Sequence, residues 1–292
     1  MASAAFDQRE GWIWMDGQII PWAEATLHIL SHAMHYGSAV FEGQRAYNGR
    51  IFKLEEHTER LFASAAALDM DVPFSREDIN SACNTLLQKN GLKDAYCRPI
   101  LWRGSETMGV SATGTRIHGA IAVWEWPSYF TPEQRLKGLK LDISKWRRPG
   151  PDMAPVHAKA AGLYMICTLS RHVAEAKGCD DALMYDYRGQ IAEATGANIF
   201  FVSDGRLHTP VADCFLDGIT RKSVIDLAGQ HGIEVMERAI MPDEMPHFEE
   251  AFLTGTAAEV SPVAEIGPHS FRPGAITKTL MEEYDRLVRR SD

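Results

Sequence analysis

Cysteine is scarce and scattered in this 292-residue chain: Cys83, Cys97, Cys167, Cys179 and Cys214, with no C-x-x-C pair. That pattern excludes a disulfide-stapled fold and a thiolate zinc knuckle, and dispersed single thiols fit a reducing, cytoplasmic setting. No activating neighbour marks any of them as a nucleophile. Basic charge is also short. Thirty Lys and Arg face 39 Asp and Glu, for a formal net charge of -9, so the basic face that nucleic acid selects is missing. Long apolar runs are lacking too: GAIAVWEW and ANIFFV fall far short of the roughly 20 residues of a membrane helix. The N-terminal MASAAFDQREGW has no basic region followed by an apolar one, as an export signal would. There is no internal repeat. These absences leave a soluble chain with small-molecule partners, no nucleic acid and no membrane.

The length suits two lobes, each with its own core. In the first, GWIWMDGQIIPW alternates like a hairpin around a DG turn, and YGSAVFEGQRAYNGRIFKL reads as two strands around an NG turn. Leu54, His57, Leu61, Ala65 and Leu68 recur at helical spacing, and a second helix opens on Ser75 and closes on Gly91. AYCRPILWRG and IHGAIAVWEW look like strands. The expectation is an α+β lobe over residues 1–126 and a connection at 127–138, where Pro127, Pro132 and Gly138 interrupt any period. A larger, sheet-rich lobe follows over 139–292, with the strand LKLDIS, a Pro-rich turn RRPGPDMAP, and a helix from about Tyr164 to Lys177. Short strands (DALMYD, QIAEA, ANIFFV, RLHTP), a helix from about Thr220 to His231, EAFLTGTAAEVSPV as a strand leading into a polar loop, and a terminal helix complete it.

Lys159 stands in PVHAKAAGLYM among small and apolar neighbours, a setting in which an amine can work as a nucleophile toward an aldehyde. A phosphorylated aldehyde cofactor such as pyridoxal 5'-phosphate needs such a lysine, an anion site, a partner for its ring nitrogen and one for its phenolic oxygen. Glu193, between Ala192 and Ala194, needs a cationic partner or water. Gly218 precedes a helix that starts near Thr220, so Gly218, Ile219 and Thr220 offer backbone N–H groups to an anion, or simply cap themselves. The turn LTGTAAEVSP presents Thr254, Thr256 and the backbone at Ala257. Arg60 could add charge, or pair with Glu56 at helical spacing. Tyr164 could reach the same ring as Lys159 only if its helix starts near Tyr164. A rival pattern is His28, His32 and His35, three imidazoles on one face if that segment is helical, as in a metal-dependent hydrolase.

The order of HAMHYGSAVFEGQRAY, AYCRP, the MGV of residues 108–110, AKAAGLY, IAEATGANIF, LDGITR and LTGTAAEVSPV resembles fold type IV pyridoxal-phosphate-dependent aminotransferases, in particular the bacterial branched-chain enzymes. The resemblance runs from about residue 10 to 290. It implies a two-domain fold with the cofactor between the lobes, and transamination of L-leucine, isoleucine or valine with 2-oxoglutarate. It further implies Lys159 as the Schiff-base lysine and proton shuttle, Glu193 on the pyridine nitrogen, and Tyr164 on the phenolic oxygen. Arg60, Gly218, Ile219, Thr220 and Thr256 would then hold the phosphate. The substrate pocket would draw on Tyr36, Phe41, Gly43 and Trp126, with Tyr96 and the backbone of Thr256 and Ala257 on the α-carboxylate, and Arg98 on the side-chain carboxylate of glutamate. No metal is implied, and at least a homodimer is. Two departures, Gln44 where an apolar residue is usual and SATGTR after MGV, lie near the expected pocket. They keep D-amino-acid or (R)-amine transaminase and aminodeoxychorismate lyase as alternatives within the fold; a non-catalytic binding protein would need a broken cofactor site, and no cofactor demand is missing.

Overall fold

The computed structural model describes residues 5–126 and 137–290, so most of the connection expected at 127–138 lies outside the described residues. The chain forms two compact units, residues 1–127 with 158–162, and residues 128–157 with 163–292. The sequence reading puts Lys159 in the second lobe; the structure puts residues 158–162 in the first. The cause is non-local pairing, described below.

The first unit contains β1 (Trp12–Met15), β2 (Gln18–Pro21), α1 (His32–Tyr36), β3 (Ala39–Phe41), β4 (Gln44–Tyr47), β5 (Arg50–Ile51), α2 (Leu54–Ala66), α3 (Arg76–Lys89), β6 (Ala95–Arg103) and β7 (Ile117–Glu125). The strands make one sheet in the order β2-β1-β7-β6-β4-β5, with β3 also on β6. Both short turns have the backbone that their sequences call for: Asp16 and Gly17 have φ of 47° and 87°, Asn48 and Gly49 52° and 84°, a type I′ arrangement that suits the twist of a hairpin. The stretch read as two strands is three, because the chain breaks between β3 and β4 at Glu42 and Gly43. The α3 start is as expected. Ser75 accepts from Asp78 N while Asp78 accepts from Ser75 N, which satisfies two helix-end donors at once. The helix ends at Gly91, with φ of 66°. α3 packs on β1, β6 and β7, and α2 on β3, burying Leu61, Ile79, Leu86, Leu101 and Ile121, each side chain adding roughly 1.5–3 kcal/mol.

The second unit contains β8 (Leu139–Arg148), α4 (Met165–Ala176), β9 (Asp181–Asp186), β10 (Ile191–Ala194), β11 (Asn198–Ser203), β12 (Arg206–Thr209), α5 (Ile219–Gln230), β13 (Val235–Glu237), β14 (Glu250–Gly255), β15 (Glu259–Ile266), β16 (His269–Ser270) and α6 (Ala275–Arg289). Its strand order is β10-β9-β8-β15-β14-β11-β12-β13, with β16 on β15, and a β10–β11 pairing closes six strands on themselves. Leu141, Leu183, Ile199, Phe201, Leu253, Val263 and Ile266 form its main core. β8 runs four residues beyond LKLDIS into Arg147 and Arg148, which the Pro-rich neighbourhood had suggested were turn. EAFLTGTAAEVSPV is two strands, not one: β14 and β15 pair antiparallel around the residue 256–258 turn.

Candidate functional site

In the first unit, the lysine segment docks on the sheet. Val40 and Ala160 form an isolated antiparallel bridge, Phe41 N donates to Lys159 O at 3.1 Å, and Lys159 N donates to Ser64 Oγ of α2 at 2.9 Å. The backbone of Lys159 is thus held from two sides between buried Ala158 and Ala160. Close passage requires glycine here: Gly37 ends α1 at φ 65°, and a Cβ there would lie 3.0 Å from Gly162 Cα. The amine points over an aromatic ring, with Nζ 5.2 Å from the Phe41 centroid.

The same ring carries a guanidinium, with Arg98 Cζ 4.8 Å from the Phe41 centroid. Arg98 Nη2 donates to Tyr96 Oη at 3.2 Å. Tyr96 and Arg98 alternate onto one face of β6, where Trp124 stacks on Tyr96 at 5.0 Å and Trp126 lies 5.2 Å away. Gly43 borders this group so closely that a Cβ would overlap Tyr96 Oη. Tyr36 closes α1 on the surface of the unit, 45% exposed, its ring 4.6 Å from that of His32. Gln44 is elsewhere. It pairs with Cys97, and paired residues share a face; Cys97 Sγ lies 3.7 Å from Cys83 Sγ of α3. Gln44 therefore faces the helices, opposite to Tyr96 and Arg98, and the expectation that it borders the pocket is corrected.

Arg60 does not pair with Glu56. Its Nε donates to Glu42 Oε1 at 2.7 Å and its Nη2 to Glu42 Oε2 at 2.8 Å. His57, one turn earlier on α2, sits with Nδ1 2.7 Å from Glu42 Oε2. Burial pushes the Glu42 carboxyl up, but Arg60 and then His57 overcome it and hold its pKa far below the ordinary range. Burial likewise holds His57 below 6.5, against the opposing pull of Glu42.

In the second unit, a register shift between Ile191 and Glu193 interrupts the β9–β10 ladder, a bulge of the kind that re-aims a side chain. Glu193 is buried, with Arg148 Nε 3.3 Å from Oε1 and Asn198 Nδ2 3.3 Å from Oε2. Burial disfavours the Arg148 charge, yet Glu193, Cys167 and Tyr164 keep its pKa above the ordinary value. Asn198 also donates to Leu216 O at 3.0 Å, tying Glu193 to the segment that starts α5. There Gly218 takes extended backbone with no side-chain cap, and a Cβ on it would overlap Asn198 Oδ1. Ile219 and Thr220 are buried in the first turn, whose backbone donors point along the positive end of the helix dipole. Asn198 pairs with Thr254, so the turn carrying Thr256 and Ala257 follows at the same sheet end. Thr254 Oγ1 is buried with no hydrogen-bond partner among the described residues. Tyr164 closes a 3-10 turn at residues 161–164, and α4 starts at Met165, the late start that its role requires.

The three early histidines do not converge. α1 begins at His32, and His28 Nδ1 accepts from Leu30 N. His32 contacts Ser38 Oγ at 2.7 Å and Gly109 O at 3.0 Å, while His35 contacts Ile29 O. Among the described residues one group has metal-ligand proximity, Asp186, Asp213 and Cys214. Arg188 already engages both carboxylates at 2.7–2.8 Å, and burial, then the two aspartates, push the Cys214 thiol up to about 12, leaving it protonated. Sequence reasoning missed Glu42, His57 as a polar group, Arg148 and Asn198. Asn198 had a signal: a polar residue opening the apolar run ANIFFV, across a Thr-Gly turn from Glu193.

The model of the amino-transferase class IV family matches residues 39–266, and the chain belongs to that family. It is 41% identical over 287 residues to the branched-chain-amino-acid aminotransferase of Pseudomonas aeruginosa, covering 96% of this chain and 94% of that one. The solved branched-chain amino acid aminotransferase from Thermoproteus uzoniensis with norvaline superposes with a TM-score of 0.91 at 36% identity, covering 96% of this chain and 95% of that one. A solved thermophile enzyme of the same name, abbreviated T.th., with pyridoxamine 5'-phosphate, gives 0.94 at 38% identity, covering 97% of this chain and 96% of that one.

Proposed function

We propose that this chain is a pyridoxal-phosphate-dependent branched-chain-amino-acid aminotransferase. It transfers the amino group of leucine, isoleucine or valine to 2-oxoglutarate, giving branched 2-oxo acids and L-glutamate. The observation that carries the reading is the Phe41 ring with the Lys159 amine at 5.2 Å and the Arg98 guanidinium at 4.8 Å. One aromatic surface thereby borders a reactive amine and a cation, and a site that accepts both an apolar and an anionic side chain in turn needs both surfaces.

The second unit's residues fit the cofactor. A buried carboxylate beside Arg148 suits a protonated ring nitrogen, and the orphaned Thr254 hydroxyl and the open start of α5 mark a polar site whose donors suit an anion. When bound, the cofactor supplies an aldehyde that takes up the amino group and a cationic ring that draws electrons from the substrate α-carbon. Lys159 Nζ moves the proton from that carbon and, as an amine, yields its place to the incoming substrate. Glu193 opposes the ring nitrogen's positive charge, and Tyr164 Oη bonds the phenolic oxygen. Arg60, Gly218, Ile219, Thr220 and Thr256 would hold the phosphate. Tyr96 and the backbone at Thr256 and Ala257 orient the α-carboxylate. Arg98 receives the distal carboxylate of glutamate, and Tyr36, Phe41, Gly43 and Trp126 wall the side-chain space.

The enzyme works as a homodimer or higher homo-oligomer in the cytoplasm. Support for the first is an apolar band on the first unit, where Ile29, Met34 and Val110 are 67%, 59% and 85% exposed. Support for the second is that all five cysteines are free. The test is spectroscopic. The purified yellow protein should be bleached by L-leucine and regain colour with 2-oxoglutarate, and borohydride should fix the cofactor on a Lys159 peptide. Bleaching by D-alanine or (R)-1-phenylethylamine, with none by leucine, would overturn the substrate assignment.

A further inference from the structure

Glu42 lies at the break between β3 and β4, its side chain wholly removed from solvent, and its own N–H is fixed on Pro99 O of β6 at 2.8 Å. Its carboxylate receives the Nε and Nη2 edge of Arg60 in two hydrogen bonds, lies 2.7 Å from His57 Nδ1, and accepts from Gly43 N at 3.3 Å. A buried ion pair is a poor stabiliser, since apolar residues of similar volume commonly do as well or better. A two-point carboxylate contact does something apolar residues cannot, which is to fix the plane and direction of a guanidinium. Arg60 keeps 18% of its side chain exposed, so the oriented head remains reachable by an anion.

We propose that Glu42 is a positioning residue: anchored to the sheet and steadied by His57, it holds the Arg60 guanidinium preset for the cofactor's phosphate. This rests on the reading of Arg60 as a phosphate ligand. Presetting removes the ordering cost of a long, flexible side chain from the binding step. The carboxylate also offsets the cation, so the site selects by hydrogen-bond direction more than by bulk charge.

The test compares two ligands on the full chain freed of cofactor: pyridoxal 5'-phosphate, and pyridoxal, which lacks the phosphate. Both are followed by the absorbance of the bound chromophore. Glu42→Gln should weaken the phosphorylated ligand by roughly ten- to a hundredfold, the span of a lost hydrogen bond to a charged group, and leave pyridoxal within about twofold. Arg60→Ala should give at least the same selective loss, and adding Glu42→Gln to it should change nothing further. If Glu42→Gln weakens both ligands equally, or adds its full effect to Arg60→Ala, Glu42 is structural and the proposal fails. If Arg60→Ala itself leaves the ratio of the two affinities unchanged, the reading of Arg60 falls, and the proposal with it. Should Glu42→Gln not fold, His57→Ala should give a smaller loss confined to the phosphorylated ligand, restored by His57→Asn; equal loss for both ligands overturns the proposal.

Discussion

Glu193, Arg148 and Asn198 show how a single carboxylate becomes a site. Glu193 alone among alanines would be a costly buried charge; Arg148 at 3.3 Å and Asn198 at 3.3 Å make it tolerable and aim it. Glu193→Gln should lower kcat roughly ten- to a hundredfold. It should also destabilise the fold by about 3 kcal/mol, because Arg148 stays buried without its anion; turnover assays and denaturant melts check both. Gln44 behaves oppositely. It is buried, and neither end of its amide finds a partner among the described residues, so Gln44→Met should raise stability by about 1–2 kcal/mol. As it faces Cys97 and α3, the KM for leucine should not move. Glu42 and His57 set the response to acid. Both have folded pKa values below their unfolded ones, 4.5 and 6.5, so the unfolded chain takes up more protons as pH falls. Stability is then full above about pH 6.5 and declines below it, first through His57 and further below 4.5 through Glu42. Melting temperature followed from pH 8 to 4 should show this fall, and His57→Asn should flatten its upper part.

At the scale of elements, what decides the site is where strands break and where helices begin. The bulge in β10 turns Glu193; the break at Glu42 and Gly43 lets one residue go to Arg60 and the next leave room for Tyr96; α5 begins on a glycine pressed against Asn198. Gly218→Ala should therefore displace Asn198, which bonds both Glu193 and Leu216 O. Cofactor affinity should fall about tenfold or more, measured by titration, while circular dichroism stays close to that of the parent. The hairpins around Asp16–Gly17 and Asn48–Gly49, and the Ser75 cap, could be read directly because each depends on a few adjacent residues. The split of β14 from β15 and the extension of β8 to Arg148 could not, since partner strands supply the hydrogen bonds that define them.

At the scale of the molecule, the apolar band of Ile29, Met34 and Val110 belongs to one surface, since His32 of α1 holds Gly109 O at 3.0 Å. Light scattering should give at least twice the 32.5 kDa chain mass, and Ile29→Lys with Met34→Glu should shift the population toward monomer; a parent that is monomeric at micromolar concentration would refute the assembly. The sequence by itself determined the class of chemistry and most of the parts. Lys159, Glu193 and the Gly218–Thr220 start are local signals, written in side-chain type and in neighbours close along the chain. Only the tertiary structure decided what each part works with. Lys159 joined the first unit because Ala160 bridges Val40 and Lys159 N reaches Ser64 Oγ. Arg60 left Glu56 for Glu42, Glu193 gained Arg148, and Gln44 turned toward the helices. Periodicity and turn chemistry act over a few residues, whereas a buried charge takes whichever partner the closed sheet brings within reach, and that partner is set by strand pairing across tens to more than a hundred residues of chain.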